Sequence, residues 1–258
     1  MLELARKADP RNLVYKIYEK RLWKQISGEK IPQHLAVIMD GNRRFADYQK
    51  LDSRSRGHEF GTRKLKELVQ WIWELDVETL TIFAFSSENF NRPPEEVESL
   101  MRLFRENFLQ LVDTPEIHEH KVRIRAIGRI QSLPLDVQEA IHKAEEATKD
   151  YTNKVFQIAI GYAGRTEVVD AIRGIISDGL TPEDVTEEVV AQYLYTNGTS
   201  DPDLIIRTSG EERLSGFLLW QSAYSELYFA DIFFPAFRKI DLWRAIRTYQ
   251  RRDRRYGS

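Results

Sequence analysis

The sequence predicts an α/β fold, a mainly parallel central sheet flanked by helices. Three observations lead there. From residue 34 onward, short apolar runs alternate with longer stretches of helical periodicity, the order expected of a parallel sheet with crossover helices. Four of the apolar runs end in polar clusters: MDGNRR, FAFSSENFNRP, IAIGYAGRTE and LIIRTSGEERLSG. Ligands of such sheets sit beyond the carboxyl ends of the strands, so these four ends should meet at one edge. Third, 258 residues with 42% hydrophobic content fit one large domain or two small ones with a sizeable core.

The elements follow in order. Residues 12–27, NLVYKIYEKRLWKQIS, place Val14, Ile17, Tyr18, Leu22 and Ile26 at helical spacing. They predict a peripheral helix within an N-terminal extension, residues 1–30, ahead of a main domain, residues 31–258. Gly28 ends the helix and Pro32 separates it from the first strand. Strands are expected at 34–39, 79–85, 121–127, 155–160 and 203–207. Helices are expected at 60–75, 95–112, 134–148, 165–178, 185–195 and 240–252. The helix at 95–112 carries Leu100, Met101, Leu103, Phe104, Phe108 and Leu111. That spacing reads as core packing in preference to a ligand tunnel.

Composition excludes several functions. There is no cysteine, hence no disulfide, thiolate nucleophile or cysteine-bound metal. A net charge of -2 supplies no global field toward nucleic acid. No run of about 18 apolar residues appears, so no membrane span is expected. The charged start, MLELARKADPRNLVYK, lacks the apolar stretch of a signal peptide, and a cytoplasmic protein is the expectation. Charge is uneven, however. From Arg238 to Arg255 there are eight Lys or Arg and two Asp, which fits either a solvated helix or a face turned toward an anion. No Gly-x-Gly-x-x-Gly follows a strand, and neither a P-loop nor a Gly-x-Ser-x-Gly elbow occurs. His118 and His120 in EIHEHK read as an exposed loop pair, not a metal chelate.

The first polar end is the most informative. Asp40 follows Met39 at the sheet rim. Gly41 lets backbone N–H groups approach an anion, and Asn42, Arg43 and Arg44 add side-chain donors. This outlines a diphosphate cradle, with Asp40 left to hold a cation against it. Magnesium suits that position, because it takes oxygen ligands and is often completed by substrate phosphates. The competing reading is that Asp40 only caps the next helix. The segment RSRGH then supplies Arg54, Arg56, Gly57 and His58 ahead of a helix, whose start could receive a phosphate. Arg207, Arg213 and Ser215 form a second cationic cluster. Two separate basic clusters with apolar material between them point to two anionic substrates with apolar bodies.

Together, HLAVIMDGNRRFA, RSRGH, TLTIFAFSSENFNRP, IRTSGEERLSGFLLWQSAYSELYF and the terminal RRYGS resemble the cis-prenyltransferase family, in order from about residue 32 to 257. The resemblance implies a magnesium-dependent enzyme that condenses an allylic prenyl diphosphate with isopentenyl diphosphate to give a Z-polyprenyl diphosphate. It also implies a hydrophobic tunnel, a homodimer or a heterodimer with a noncatalytic relative, and peripheral membrane contact for product release. By position, Asp40 matches the family's essential aspartate, which handles magnesium and the allylic diphosphate. Gly41, Asn42, Arg44, Arg54 and His58 match the allylic diphosphate pocket, with Arg43 and Phe45 in the same stretch. Ser86, Glu88, Asn89, Phe90 and Arg92 match a motif that orients the reacting prenyl groups, where Ser86 and Asn89 could relay a proton. Arg207, Arg213 and Ser215 match the isopentenyl diphosphate site. Glu226 matches a carboxylate tied to metal binding near the dimer interface, and Arg255 and Gly257 match a C-terminal Arg-x-Gly that reaches a phosphate across the dimer.

Three departures bear on this. Arg43 stands where the family usually has glycine, and Phe45 where it has tryptophan. The stretch from Asp40 to His58 is one residue longer than usual. Ser209 and Glu212 replace a common glycine and histidine in RTSGEER, and GYAGR replaces the usual NYGGR. These changes leave open an atypical prenyltransferase with altered acceptor or non-head-to-tail condensation. Retention of Asp40, Arg44, Arg207, Arg213 and Glu226 argues against a noncatalytic scaffold subunit. Arg43 is expected to turn inward and bind an extra phosphate oxygen.

Overall fold

The computed structural model describes residues 10–252. Its strands are β1 (His34–Ile38), β2 (Thr79–Ser86), β3 (Val122–Ile127), β4 (Lys154–Tyr162), β5 (Leu204–Thr208) and β6 (Glu226–Ala230). They form one sheet in the order β3-β4-β2-β1-β5-β6, with every neighbouring pair parallel. The helices are α1 (Pro10–Ile26), α2 (Asn42–Tyr48), α3 (Arg54–Glu74), α4 (Pro94–Val112), α5 (Pro115–Glu119), α6 (Leu135–Thr148), α7 (Gly164–Ser177), α8 (Glu187–Tyr193) and α9 (Lys239–Gln250).

Side-chain alternation explains why the strands read as unbroken apolar runs. On β1, Leu35 and Val37 enter one core while Ala36 and Ile38 enter the other. On β5, Leu204 and Ile206 face the first core and Ile205 the second. A period of two puts successive side chains on opposite faces, so a sheet covered on both sides needs apolar residues at every position. The first core is the larger and takes in α3, α4, α6 and α9. It also takes in Leu22 and Ile26 of α1, so the N-terminal helix packs into the same body as the strands. Its buried face runs through Tyr15, Tyr18, Leu22 and Ile26, while Val14 and Ile17, expected on that face, are exposed.

Several boundaries differ from expectation for local reasons. Strand β6 is absent from the expected strands and falls within the motif SELYF; it is an edge strand whose residues are mostly half-buried, which blunts the apolar signal. Helix α3 starts at Arg54, not near residue 60, so Arg54, Arg56, Gly57 and His58 lie inside its first turns and not ahead of it. The short α2 and α5 fall in stretches read as loop. His118 is therefore helical and half-buried, with its ring nitrogens at the Tyr151 hydroxyl (2.8 Å) and the Val112 carbonyl (2.6 Å). His120 caps α5 and is exposed.

The chain leaves β1 toward β2 on one side and β5 toward β6 on the other. Strands β1 and β5 are direct neighbours, with Ile38 opposite Arg207. A crevice opens where connections diverge in this way, and it is the usual ligand position in such sheets.

At the other end of β1, His34 is buried, with its ring nitrogens 2.6 Å from the Ser200 carbonyl and 2.7 Å from the Thr81 hydroxyl. Burial holds this imidazole down to about 4 from its usual 6.5. Between those values the unfolded chain takes up a proton that the folded chain refuses. Stability should therefore fall as pH falls through this window, by up to about 3 kcal/mol, with no further loss from this group below it. Thermal midpoints measured from neutral pH down to about pH 4 should drop more steeply in the wild type than in His34→Gln. Parallel profiles would show that His34 does not control this acid sensitivity.

Candidate active site

Asp40 lies two residues beyond the end of β1, in the crevice beside β5. Its backbone is fixed from three directions. Its carbonyl accepts from the Thr208 hydroxyl (2.7 Å) and the Phe234 N–H (3.0 Å), and its N–H donates to Ile38 (3.0 Å). Its carboxylate accepts from the Gly41 N–H (2.6 Å) and from Arg207 Nη2 (2.8 Å). Burial works to raise the Asp40 pKa, but the hydrogen bond and charge of Arg207, the Gly41 N–H and the charge of Arg44 outweigh it and hold the carboxyl below its usual range. The helix cap is Gly41, not Asp40. Gly41 has φ 97°, and a Cβ there would come within 2.8 Å of both Phe233 and Ser209, so this position requires glycine on two counts.

Arg207 joins the two clusters that the sequence kept apart. It is 5% exposed, and its Nη1 donates to the Arg213 carbonyl and to Ser215 Oγ (2.9 Å) while Nη2 holds Asp40. Arg44 crosses the same gap from α2, reaching the Ser209 hydroxyl, the Ser209 carbonyl (3.4 Å) and Glu211 (3.2 Å). Arg213 pairs with the same Glu211. The two basic clusters are thus adjacent banks of one crevice.

A cleft of about 380 Å3 lies over α2 and the start of α3, lined by Met39 to Arg44, Asp47, Arg54, His58 and Arg92. Its four arginines outnumber its two aspartates, so it favours an anion. Arg54 pairs with Asp47 at 3.0 Å. Behind the cleft sits Glu96, with a side chain only 10% exposed, contacted by Arg92 (3.0 Å), His58 (3.4 Å) and Arg43 (3.6 Å). Burial lowers the His58 pKa, the charge of Arg92 adds to this, and Glu96 opposes it. Arg43 borders the cleft, and its partner among the described residues is the carboxylate of Glu96.

An apolar cavity of about 550 Å3 adjoins the cleft between α3, α4 and the sheet, and shares Met39, Asn42 and His58 with it. Leu100, Leu103, Phe104, Phe108 and Leu111 of α4 line it. The reading of that stripe as core alone is corrected: of the six, Met101 is buried without lining the cavity. Gly57 and Gly61 let α3 close on Asn42, since a Cβ at either would collide with Asn42 oxygens.

The remaining expected residues divide. Arg92 reaches the cleft. Asn89 Oδ1 accepts from the Ser86 N–H (3.1 Å), so these two brace the end of β2. Glu88 is exposed, and Phe90 packs edge-on against Phe85 at 4.9 Å. Phe45 packs on Phe60 at 5.6 Å and lines neither cavity. Glu226 opens β6 opposite Leu204 and pairs with Arg252. It lies at the other end of the sheet, about 16 Å along the strands from Asp40, so one chain does not bring the two together. Arg255 and Gly257 lie outside the described residues. Glu96 was missed; its position four residues after Arg92 at the start of a helix was the available signal.

No group of three His, Cys, Asp or Glu side chains among the described residues could hold a metal unaided. Asp40, with its side chain 28% exposed, faces the crevice, and Asp47 lines the same cleft but is paired with Arg54. One or two carboxylates at an anion site fit magnesium, which is completed by substrate phosphates.

The undecaprenyl diphosphate synthase family model matches residues 38–257. A tritrans,polycis-undecaprenyl-diphosphate synthase (geranylgeranyl-diphosphate specific) of Methanocaldococcus jannaschii is 50% identical over 95% of this chain and 89% of its own length. An isoprenyl transferase of Thermus thermophilus is 48% identical over 95% of both chains. Among solved structures, lavandulyl diphosphate synthase from Lavandula x intermedia in complex with dimethylallyl diphosphate superposes with a TM-score of 0.83, at 35% identity, over 88% of this chain and 99% of its own.

Replacing Asp40 by Asn keeps the shape and removes the charge. Asp40→Asn should lower turnover of a prenyl diphosphate by ~10²–10³-fold, the scale of one preorganised electrostatic contact. Circular dichroism should show the fold unchanged. Near-normal turnover in the folded variant would reject the role.

Proposed function

Because the chain belongs to the cis-prenyltransferase family of undecaprenyl diphosphate synthases, we propose that it extends an allylic prenyl diphosphate with isopentenyl diphosphate, with geranylgeranyl diphosphate as its starter. The observation that carries this is the junction of a cationic cleft with an apolar cavity through Met39, Asn42 and His58. An allylic diphosphate needs both, with its head among arginines and its tail out of water. The geranylgeranyl diphosphate specificity of the Methanocaldococcus jannaschii relative supports the choice of starter.

The reaction separates charge. Ionisation leaves negative charge on the departing diphosphate and positive charge on the allylic carbon. Arg43, Arg44, Arg54 and Arg92 face the first, and the apolar wall of α4 keeps water from the second. Magnesium, held by Asp40 and diphosphate oxygens, would supply further neutralisation of the leaving group. Arg207, Arg213 and Ser215 hold the second diphosphate, which places the isopentenyl double bond on the far bank of the same crevice. Attack forms the new carbon–carbon bond, and a proton then leaves the isopentenyl unit. Asn89 Oδ1 is already occupied by a backbone donor, which favours a diphosphate oxygen as the proton acceptor.

The active form is proposed to be a homodimer in the cytoplasm with peripheral membrane contact. Val169, Ile172 and Ile176 form an exposed apolar stripe on α7, and Leu219, Trp220 and Tyr224 are exposed beside the start of that helix; such clusters mark protein contacts. No helix among the described residues is long and apolar enough to cross a membrane. The outward face of α1 carries Lys16, Lys20 and Lys24 around exposed Ile17, which suits an anionic lipid surface.

Purified protein given isopentenyl diphosphate and a panel of C5 to C20 allylic diphosphates should make Z-polyprenyl products, fastest from geranylgeranyl diphosphate. EDTA should stop the reaction and magnesium restore it. A product from dimethylallyl diphosphate alone would point instead to non-head-to-tail condensation, and no product from any starter would reject prenyl transfer. Light scattering should give twice the chain mass, and the same sample should sediment with anionic vesicles. A fully active monomer would remove the dimer, and protein left in the supernatant would remove the membrane contact.

A further inference from the structure

Glu96 is buried, yet it sits against an anion-binding cleft, where a carboxylate repels the ligand. Its charge is stabilised locally, since it occupies the first turn of α4, where the helix dipole favours an anion. Three groups from three elements converge on one of its oxygens, Oε1: Arg43 Nε from α2, His58 Nε2 from α3 and Arg92 Nη1 from the segment after β2. Arg43, His58 and Arg92 all line the cleft, whereas Glu96 does not.

The contacts are one-sided. Glu96 accepts a hydrogen bond from Nη1 of Arg92 (3.0 Å) and lies within ion-pair range of Nε of Arg43 (3.6 Å). The other nitrogens of Arg92, and all those of Arg43, have no hydrogen-bond partner among the described residues, and each guanidinium is a rigid planar fork. A carboxylate gripping one edge of such a fork fixes the direction of the opposite edge. Exposure follows the same order, with Glu96 at 10%, Arg92 at 23% and Arg43 at 37%. The anchor is inside and the forks reach outward.

We propose that Glu96 is a positioning residue, the common pivot that aims Arg43 and Arg92 at the allylic diphosphate and seats His58 at the entrance to the apolar cavity. This rests on the prenyl-transfer reading and adds a residue to it. Arg43 then acts as part of a set, and an arginine in place of the family's usual glycine is useful because Glu96 is there to hold it.

The sign of one measurement separates positioning from simple charge. If Glu96 were only a nearby anion, Glu96→Gln would strengthen diphosphate binding. As a pivot, its loss lets both forks swing, and Glu96→Gln should weaken inorganic pyrophosphate binding, titrated by calorimetry, by about 10- to 100-fold. In turnover, kcat/KM for the allylic starter should fall on the same scale, while KM for isopentenyl diphosphate stays within about two-fold, since Arg207, Arg213 and Ser215 do not touch Glu96. Glu96→Gln combined with Arg43→Gly should be less damaging than the product of the single effects, because both changes release the same fork. Should Glu96→Gln not fold, Glu96→Asp keeps the charge and withdraws the oxygen by one methylene; it should lose pyrophosphate affinity in the same direction. Tighter or unchanged pyrophosphate binding in the folded variant, or fully independent effects of Glu96 and Arg43, overturns the proposal. The pyrophosphate titration judges Glu96 even if the wild type accepts no prenyl starter, a result that would instead count against the prenyl-transfer reading.

Discussion

The site depends on the pairing of a buried guanidinium, Arg207, with the carboxylate of Asp40. A charge as buried as Arg207 is costly unless its donors are met. Its two terminal nitrogens are met by groups from two elements, Asp40 beyond β1 and the loop carrying Arg213 and Ser215 beyond β5, while its Nε has no hydrogen-bond partner among the described residues. Those are the two banks of the crevice, so holding one guanidinium also sets the distance between the two cationic clusters. The loop is braced from behind as well. Gly164 donates to the Gly216 carbonyl at 3.0 Å, and Phe217 stacks on Phe83 of β2 at 4.8 Å. The Asp40–Arg207 contact therefore makes one site of the ends of β1 and β5.

The other arginines are matched in a graded way. Arg54 and Asp47 are each about half exposed, and an exposed pair of this kind contributes little and exchanges readily. Arg44 is 44% exposed and divides its donors among Ser209, Glu211 and Asp40. Arg92 and Arg207 are the more buried, and their partners hold them in place. An arriving diphosphate can therefore take contacts from the outer arginines while the inner ones keep their geometry. Fixed donors already aimed at developing charge need no reorganisation during the reaction, which is the basis of electrostatic preorganisation.

Much of this was legible in the sequence, and the missing parts share a cause. The four interior strands, β1, β2, β4 and β5, announced themselves because residues such as Leu35, Val37, Leu204 and Ile206 must be apolar in a sheet covered on both faces. The edge strand β3 was legible through buried Val122, Ile124 and Ile127. The edge strand β6 has only one buried position among five, and its residues passed as motif. The site residues at strand ends were readable because MDGNRR and LIIRTSG break an apolar run abruptly. Their convergence was not, since no local pattern shows that residue 40 touches residue 207. The α4 stripe shows the same limit. Its helical periodicity says that Leu100, Phe104 and Phe108 face inward, but whether the inside is filled or hollow depends on how far α3 stands from the sheet. Glu96 was hidden because its partners come from three separate segments.

Two of the substituted positions in the phosphate loops, 43 and 209, differ in their backbone consequence. A glycine at position 43 suggests a need for positive φ, yet Arg43 lies inside α2, and the left-handed conformation falls on Gly41 instead. Arginine at 43 therefore costs no backbone strain, and its effect must come through its side chain. Ser209 is the opposite case. It adopts φ 76°, where a residue with a Cβ is held at a cost of order 1 kcal/mol. Two backbone bonds fix that turn, from the Ser209 N–H to Ile232 (2.8 Å) and from the Gly210 N–H to Ala230 (3.0 Å). The hydroxyl that the serine brings accepts from Arg44, a charge-assisted bond that offsets strain of this size. The serine thus ties the outer arginine of one bank to the backbone of the other, alongside the buried bond between Asp40 and Arg207. A glycine there would relax the turn and remove the hydroxyl, leaving the position's carbonyl, Glu211 and the Phe233 ring to hold Arg44 across the crevice.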